Sequence, residues 1–97
     1  MLFRSIFPNV IAVTNKATGG SIGTAATTVD LGTVIAVNQT TASQTLTLPN
    51  PTDTTAGAVI VVLSVGSAGF TINGTVLTAS NSTQAKAIFV WTGAAWI

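Results

Sequence analysis

The chain has 97 residues with a net charge of +1, and only 5% of them are charged while 47% are hydrophobic. Because an average soluble domain has about 25% charged residues and nucleic-acid binding depends on neutralising phosphates, this composition argues against a nucleic-acid partner. The chain also has no His, Cys, Tyr or Glu, which are prominent among catalytic and metal-binding side chains, so we expect no enzyme, no cofactor and no metal site.

The composition predicts an all-β fold. The sequence contains 18 Thr, 11 Val and 8 Ile, and β-branched residues fit pleated sheets better than helices. No segment has the apolar spacing of an amphipathic helix. We therefore predict a small antiparallel β-sandwich or barrel-like module.

The N-terminal segment is the first distinct element in chain order. Its apolar residues surround Arg4 and precede Pro8. An apolar arm on a soluble chain needs a surface on another protein. We predict an extended arm that anchors the protein through Leu2, Phe3, Arg4, Ile6 and Phe7.

Residues 1–28 are predicted to hold this arm, one short strand at 9–14 and a flexible Gly-rich linker, and residues 29–97 to form the β-module. Within the module, segments 33–38 and 44–48 are predicted strands. The polar connection QTTAS between them predicts that they form a hairpin. Leu46 and Leu48 alternate with threonines, which is typical of a strand with one buried face.

Segment 58–65 (AVIVVLSV) is apolar at nearly every position, which predicts a strand covered on both faces. Asn73-Gly74 favours a two-residue hairpin turn between strands 70–73 and 75–79. A last hairpin is predicted from segments 84–91 and 94–97.

The larger apolar side chains of these strands are predicted to form the core or a subunit interface. Chain ends usually fray unless they are packed, so the terminal Trp96 and Ile97 are expected to be packed as well. The full predicted set is Leu46, Leu48, Ile60, Val62, Phe70, Ile72, Phe89, Trp91, Trp96 and Ile97.

Size and charge together predict self-association. A chain of this length buries only about 60 to 70% of its unfolded surface, and no disulfide can staple it because it has no Cys. Few surface charges also leave little electrostatic protection against association. The longest apolar run has about ten residues, well short of the ~20 that a membrane-spanning helix needs, so no membrane partner is expected.

A resemblance covers about 70 residues of the chain. The motifs are Thr-Leu-Thr-Leu-Pro at 45–49, the apolar strand led by Gly57, the turn from Gly66 to Gly69, Thr-Ile-Asn-Gly at 71–74, and Phe89, Gly93 and Trp96 near the end. In this order they resemble the small β-module of tailed-bacteriophage virion proteins, which occurs in head decoration proteins, head fibres and tail fibres.

The resemblance implies a non-enzymatic structural protein of the virion, often a homotrimer. The chain has little beyond the module and its arm, which favours a capsid decoration or cement protein on the outside of the head over a long fibre. Its expected partners are copies of itself and the major capsid protein or another virion protein. The alternative is a receptor- or glycan-binding module of a tail or head fibre.

Overall fold

The computed structural model describes residues 10–80 and 84–97, and within these ranges the chain forms β-strands and turns without a helix. The all-β prediction is confirmed. No helix of the described ranges could cross a membrane. The eight strands are β1 (Val10–Val13), β2 (Gly20–Ser21), β3 (Val34–Val37), β4 (Gln44–Thr47), β5 (Val59–Ser64), β6 (Phe70–Ile72), β7 (Thr75–Leu77) and β8 (Lys86–Val90).

The strands form two four-stranded sheets between which the chain alternates. Sheet A has the order β1-β3-β5-β8, and sheet B has the order β2-β4-β6-β7. The first six strands make three successive coils, each with one strand in sheet A and the next in sheet B. In sheet A, Val10 pairs with Val34 and Val34 with Val61, both in parallel. The chain thus advances by one sheet position with each coil of 24 to 27 residues.

The chain direction reverses after the third coil. Asn73 and Gly74 have φ angles of 46° and 83°, the left-handed values that a two-residue hairpin turn requires, and they connect β6 to antiparallel β7. This predicted hairpin is confirmed. β8 then returns to sheet A and pairs antiparallel with β5.

The predicted hairpin of segments 33–38 and 44–48 is wrong. β3 belongs to sheet A and β4 to sheet B, and each pairs with strands one coil away instead of with each other. The polar segment between them forms a corner that leads from one sheet to the other. Consequently the two sheets are mixed, with parallel pairs in the first three coils, where we predicted antiparallel pairing throughout.

The Gly-rich loop, predicted to be a flexible linker, contains the short strand β2. Gly19 and Gly20 have φ angles of 75° and 90°, and a side chain at Gly19 would lie 2.7 Å from the carbonyl oxygen of Thr45. Glycine therefore permits both the turn and the close approach of the first coil to the second. β1 and β2, which lie in segment 1–28, pair with β3 and β4 of segment 29–97.

The core lies between the sheets, where the inward-facing side chains of both meet. Sheet A contributes alternate positions of β3 and β5, while sheet B contributes those of β4 and β6. Trp91 and Trp96 close one end of this core with ring centroids 5.3 Å apart in an edge-to-face arrangement. The buried apolar cluster is Val13, Ile22, Ile35, Val37, Leu46, Leu48, Ile60, Val62, Phe70, Ile72, Leu77, Phe89, Trp91 and Trp96.

The last residues extend sheet A beyond β8. Trp91 and Trp96 form an antiparallel bridge, and Val90 and Ile97 exchange two backbone hydrogen bonds of 3.0 Å each. The predicted terminal hairpin is therefore confirmed as a short pairing. Successive side chains of this last segment point to opposite sides of the sheet, so Trp96 lies in the core and Ile97 on the outside.

Candidate interaction surface

The outer face of sheet A is apolar. One row of side chains crosses all four strands and consists of Val10, Val34, Val61 and Ile88, as the strand register requires. Ile88 is 60% exposed and Val10 is 52% exposed. Antiparallel sheets that face water normally carry polar side chains on that face, so this row of exposed and half-buried aliphatic side chains departs from the usual pattern.

Two further rows extend this surface. Residues Ala12, Ala36, Leu63 and Lys86 form one row, and Val59 and Val90 form the other with Ile97 beside them. We call the side chains of Val10, Ala12, Val34, Ala36, Val59, Val61, Leu63, Lys86, Ile88, Val90 and Ile97 the apolar face. Its single charge, Lys86, lies on the edge strand β8 at the end of its row.

Segment 58–65, which was predicted to be covered on both faces, is fully covered on one face by the described residues, and Val61 and Leu63 on the other face are half-buried. Ile60 and Val62 are buried, whereas Val59 is 45% exposed and Val65 is 46% exposed. The inward side packs against sheet B, but the described residues provide no third layer over the outer side. The described residues therefore cover the inward face of this apolar strand and leave its outward face partly exposed.

The outer face of sheet B has the opposite chemistry. Thr45 and Thr71 lie side by side on it, and Thr47 follows on the same strand as Thr45. Val76 completes the row across β7 and is 62% exposed. Hydroxyl groups remain solvated when such a face points to water, so this side of the molecule suits exposure to solvent.

An open groove of about 580 Å³ lies across one end of sheet B, where β4 and β6 begin and β7 ends. Ser43 and Thr71 carry hydroxyl groups and Gln44 an amide group at its wall, whereas the hydroxyl oxygen of Thr78 is buried. No Trp lines the groove, and both Trp91 and Trp96 are buried, with exposures of 2% and 8%. Their indole N–H groups donate to the carbonyl oxygens of Thr54 and Pro49.

The two carboxylates hold loops in place. Asp30 accepts hydrogen bonds from the backbone N–H of Thr52 at 3.1 Å and from its hydroxyl at 2.6 Å. Asp53 accepts from the N–H of Thr55 at 3.0 Å, and the backbone and side-chain hydrogen bonds of Thr55 lower the pKa of Asp53 below its ordinary value. Asp30 therefore connects two loops that are distant in sequence, and Asp53 stabilises its own loop.

The structure places the residues predicted from sequence in three environments. Nine of the ten predicted core or interface residues are buried, and Ile97 is 73% exposed. The predicted anchoring residues Leu2, Phe3, Arg4, Ile6 and Phe7 lie outside the described residues. The apolar face was not recognised as a unit from sequence, although the tetrapeptide Val-Ile-Ala-Val at 10–13 recurs at 34–37 and marks two adjacent strands of it.

Comparisons with known proteins did not place the chain in a family. No protein-family model matches it, and searches of curated proteins and of solved structures gave no match either.

Proposed function

We propose that this protein is a non-enzymatic structural component of a tailed-bacteriophage virion, a decoration protein that binds the outside of the capsid and stabilises the shell. The observation that carries the proposal is the contrast between the two sheet faces. One face is apolar with a single lysine at its edge, and the other is lined by threonines. Such a molecule is suited to bury one side against protein and expose the other.

The virion setting rests on the resemblance of the strand and turn motifs to virion β-modules. Stabilisation would be mechanical, because each bound copy adds contacts that must break before the shell can expand or rupture. A protein that binds the assembled shell in preference to free subunits shifts the equilibrium toward the shell by mass action. Copies of the protein would associate as a homotrimer, and the N-terminal arm would contact the major capsid protein.

Cryo-electron microscopy of virions that carry this protein tests the proposed location. We expect density of the size of this module on the outer surface of the head. Density confined to a tail or tail tip would contradict the decoration role.

Removal of residues 1–7 tests the anchoring arm separately. Purified heads stripped of the protein would be incubated with full-length and truncated chains, and occupancy would be measured by quantitative gel analysis. We expect a large loss of occupancy for the truncated chain. Equal occupancy would show that the arm does not anchor the protein.

The groove beside sheet B favours a second candidate function, a receptor- or glycan-binding module of a fibre. Its hydroxyl and amide groups can form hydrogen bonds with sugar hydroxyls. Because both indole rings are buried, neither Trp91 nor Trp96 offers a ring face on which a sugar could stack. Binding of the isolated protein on a glycan array, lost in Thr71→Ala and retained in Thr47→Ala, would favour this second function over decoration.

A further inference from the structure

We infer that the outer edge of strand β1 binds an extended apolar segment of a partner protein, added parallel to β1, with a carboxylate at its C-terminal end beside Lys16. The segment would extend the four strands of sheet A by one. This inference goes beyond the proposed function, because it does not depend on the virion setting. It rests on the backbone groups of the edge, the cavity beside it and the charge at its end.

The backbone of β1 has polar groups without a partner in the described part of the chain. β1 is the first strand of sheet A and has a neighbour, β3, on one side only. The carbonyl oxygen of Val13 accepts from the N–H of Asn38, so the polar groups of Ile11 and Val13 face β3. Those of Val10 and Ala12 alternate with them and face away from the sheet. They offer N–H donors and carbonyl acceptors to an added strand.

The opposite edge of sheet A is protected in ways that β1 is not. β8 carries Lys86, whose carbonyl oxygen accepts from the side-chain amide of Gln84. The end of β8 pairs with the end of the chain through Val90 and Ile97. Charged residues and covering segments are common means of blocking an edge strand. β1 has the sequence Val-Ile-Ala-Val, without charge or proline, so it is the edge of sheet A that remains suited to pairing.

A cavity of about 200 Å³ opens beside β1. Ile11 and Val13 line it from β1, and the buried Ile22 and Thr28 line it from the first coil. Because a cavity of roughly 150 Å³ can hold a molecule as large as benzene, this one has room for one apolar side chain of an added strand. Successive side chains of a strand point to opposite faces, so the next side chains would continue the apolar face.

The packing of β1 beside β3 shows which segments fit this edge. Both strands have the sequence Val-Ile-Ala-Val, and each residue of one lies beside the same residue of the other. Identical aliphatic rows thus pack at the ~4.8 Å spacing of neighbouring strands. A segment with the same apolar pattern would continue these rows on the outer side of β1. A charged residue within the segment would lie against aliphatic neighbours.

Lys16 selects the direction of the added strand. It follows the end of β1 and lines the same cavity. The two carboxylate side chains of the chain bond to threonines, and no described residue forms an ion pair with Lys16. A strand parallel to β1 would bring its C-terminal end to this ammonium group, where a carboxylate is attracted. Parallel pairing also joins β1 to β3 and β3 to β5.

A synthetic peptide tests the inference on the full-length protein. The probe is Thr-Val-Ile-Ala-Val-Asn, the sequence of residues 33–38, with fluorescein on its N-terminus and a free C-terminal carboxylate. Fluorescence anisotropy would measure binding, and we expect a Kd of about 0.1 mM or below. The same peptide with a C-terminal amide should bind about three- to fivefold more weakly, because it lacks the charge that pairs with Lys16.

N-methylated peptides test whether the probe pairs with the edge of β1. In the parallel register, the probe's N–H groups at the positions of Ile35 and Val37 point to β1, and those at Val34 and Ala36 point away. We expect N-methylation of the first pair to abolish binding and N-methylation of the second pair to preserve it. Equal binding by the two methylated peptides would overturn the inference.

A matched pair of variants tests the role of Lys16. Lys16→Gln should weaken binding of the free-acid peptide about three- to fivefold and leave binding of the amide unchanged. Lys86→Gln, at the opposite edge of sheet A, should leave both unchanged. Equal effects of the two variants would overturn the assignment of the carboxylate to Lys16.

Hydrogen exchange measured by NMR would locate the bound peptide. The N–H of Ala12 faces the outer edge, and we expect its exchange to slow about tenfold or more when the peptide binds. The N–H of Ile88 faces the outer edge of β8, because the neighbouring residue Phe89 pairs with Ile60, and its exchange should not change. Exchange that slows at Ile88 but not at Ala12 would overturn the inference.

These measurements are separate from the test of the proposed function. No saturable binding to the full-length chain at about 1 mM peptide, as when residues 1–9 or a second copy already hold this edge, would overturn the inference even if the protein lies on a capsid. Edge-dependent binding by a protein that lies on no capsid would support the inference and contradict the decoration role.

Discussion

The side-chain amide of Gln39 pairs with both backbone polar groups of Lys16. The N–H of Lys16 donates to Oε1 of Gln39 at 2.9 Å, and Nε2 of Gln39 donates to the carbonyl oxygen of Lys16 at 2.8 Å. Gln39 is fully buried. This amide continues the ladder between β1 and β3 past their last residues, at the corner where the chain leaves sheet A.

Replacement of Gln39 by leucine should destabilise the fold by about 2 to 4 kcal/mol. The substitution removes both bonds to Lys16 and a third, from Nε2 to the carbonyl oxygen of Thr41, and each typical bond contributes about 1 kcal/mol, with a further penalty for partners left unpaired. Urea denaturation followed by tryptophan fluorescence would measure the loss. The exposed Gln84, whose amide donates to the carbonyl oxygen of Lys86, provides the control: Gln84→Leu should change the free energy of unfolding by less than about 0.5 kcal/mol.

Replacement of Gly66 by alanine should also destabilise the fold, by about 2 kcal/mol or more. A Cβ at this position would collide with the backbone carbonyl of Gln39 and lie 2.7 Å from Oδ1 of Asn38, so the third coil would have to move away from the second. Overpacking of this kind costs about 1 to 3 kcal/mol. Thermal unfolding would measure the effect, and Ser67→Ala at the adjacent exposed position should be nearly neutral. An unchanged melting temperature for Gly66→Ala would show that the two coils do not require this close contact.

Replacement of Ser64 by alanine should stabilise the fold by about 1 kcal/mol. Ser64 is 3% exposed, and its hydroxyl has no hydrogen-bond partner among the described residues. A buried hydroxyl without a partner carries a desolvation cost that alanine avoids. Chemical denaturation would measure the gain. A lower stability in Ser64→Ala would indicate that the hydroxyl is bonded in solution, for example to a buried water.

The last two residues should have separable effects on folding and assembly. Trp96→Ala should lower the free energy of unfolding by about 3 to 5 kcal/mol, because it removes a buried aromatic ring. The ring's edge-to-face contact with Trp91 and the hydrogen bond of 2.9 Å from its indole N–H to the carbonyl oxygen of Pro49 are lost with it. Ile97→Ser should leave the melting temperature of the monomer unchanged, since Ile97 is 73% exposed, while it weakens association. Melting curves and oligomer masses of both variants would check the prediction. A loss of folding in Ile97→Ser equal to that in Trp96→Ala would contradict it.

Strand positions could be predicted from sequence because they depend on local composition. β-branched runs bounded by Gly, Pro and Asn predicted seven of the eight strands, and Asn73-Gly74 predicted its hairpin because positive φ angles at both positions are a local requirement. β2 was missed because two residues of a Gly-rich loop carry no β-branched signal. Its pairing depends on the backbone of β4, which lies 26 residues away.

The partners of the strands could not be predicted in the same way. Neighbouring strands in the sequence were expected to pair, but each of the strands β1 to β6 pairs in parallel with a strand that is a full coil away. Recurrence of Val-Ile-Ala-Val at 10–13 and 34–37 was the available signal, since equal strands at an interval of 24 residues indicate stacked coils. The apolar face depends on that register, so it too could not be predicted from the composition of single strands.

The spacing of the coils also determines how the chain can fold. Every parallel pairing closes a loop of more than twenty residues, as between Val10 and Val34. The β6–β7 hairpin closes a loop of only two residues, Asn73 and Gly74. The chain loses conformational entropy when a loop closes, before the contacts between its ends can stabilise it. Folds in which most contacts join distant residues therefore fold slowly. We therefore expect the β6–β7 hairpin to form early and the first coil to be added late. A nascent or unfolded chain would expose its Val-Ile-Ala-Val strands for longer than its hairpin, which makes those strands the segments most exposed to misassembly with other chains.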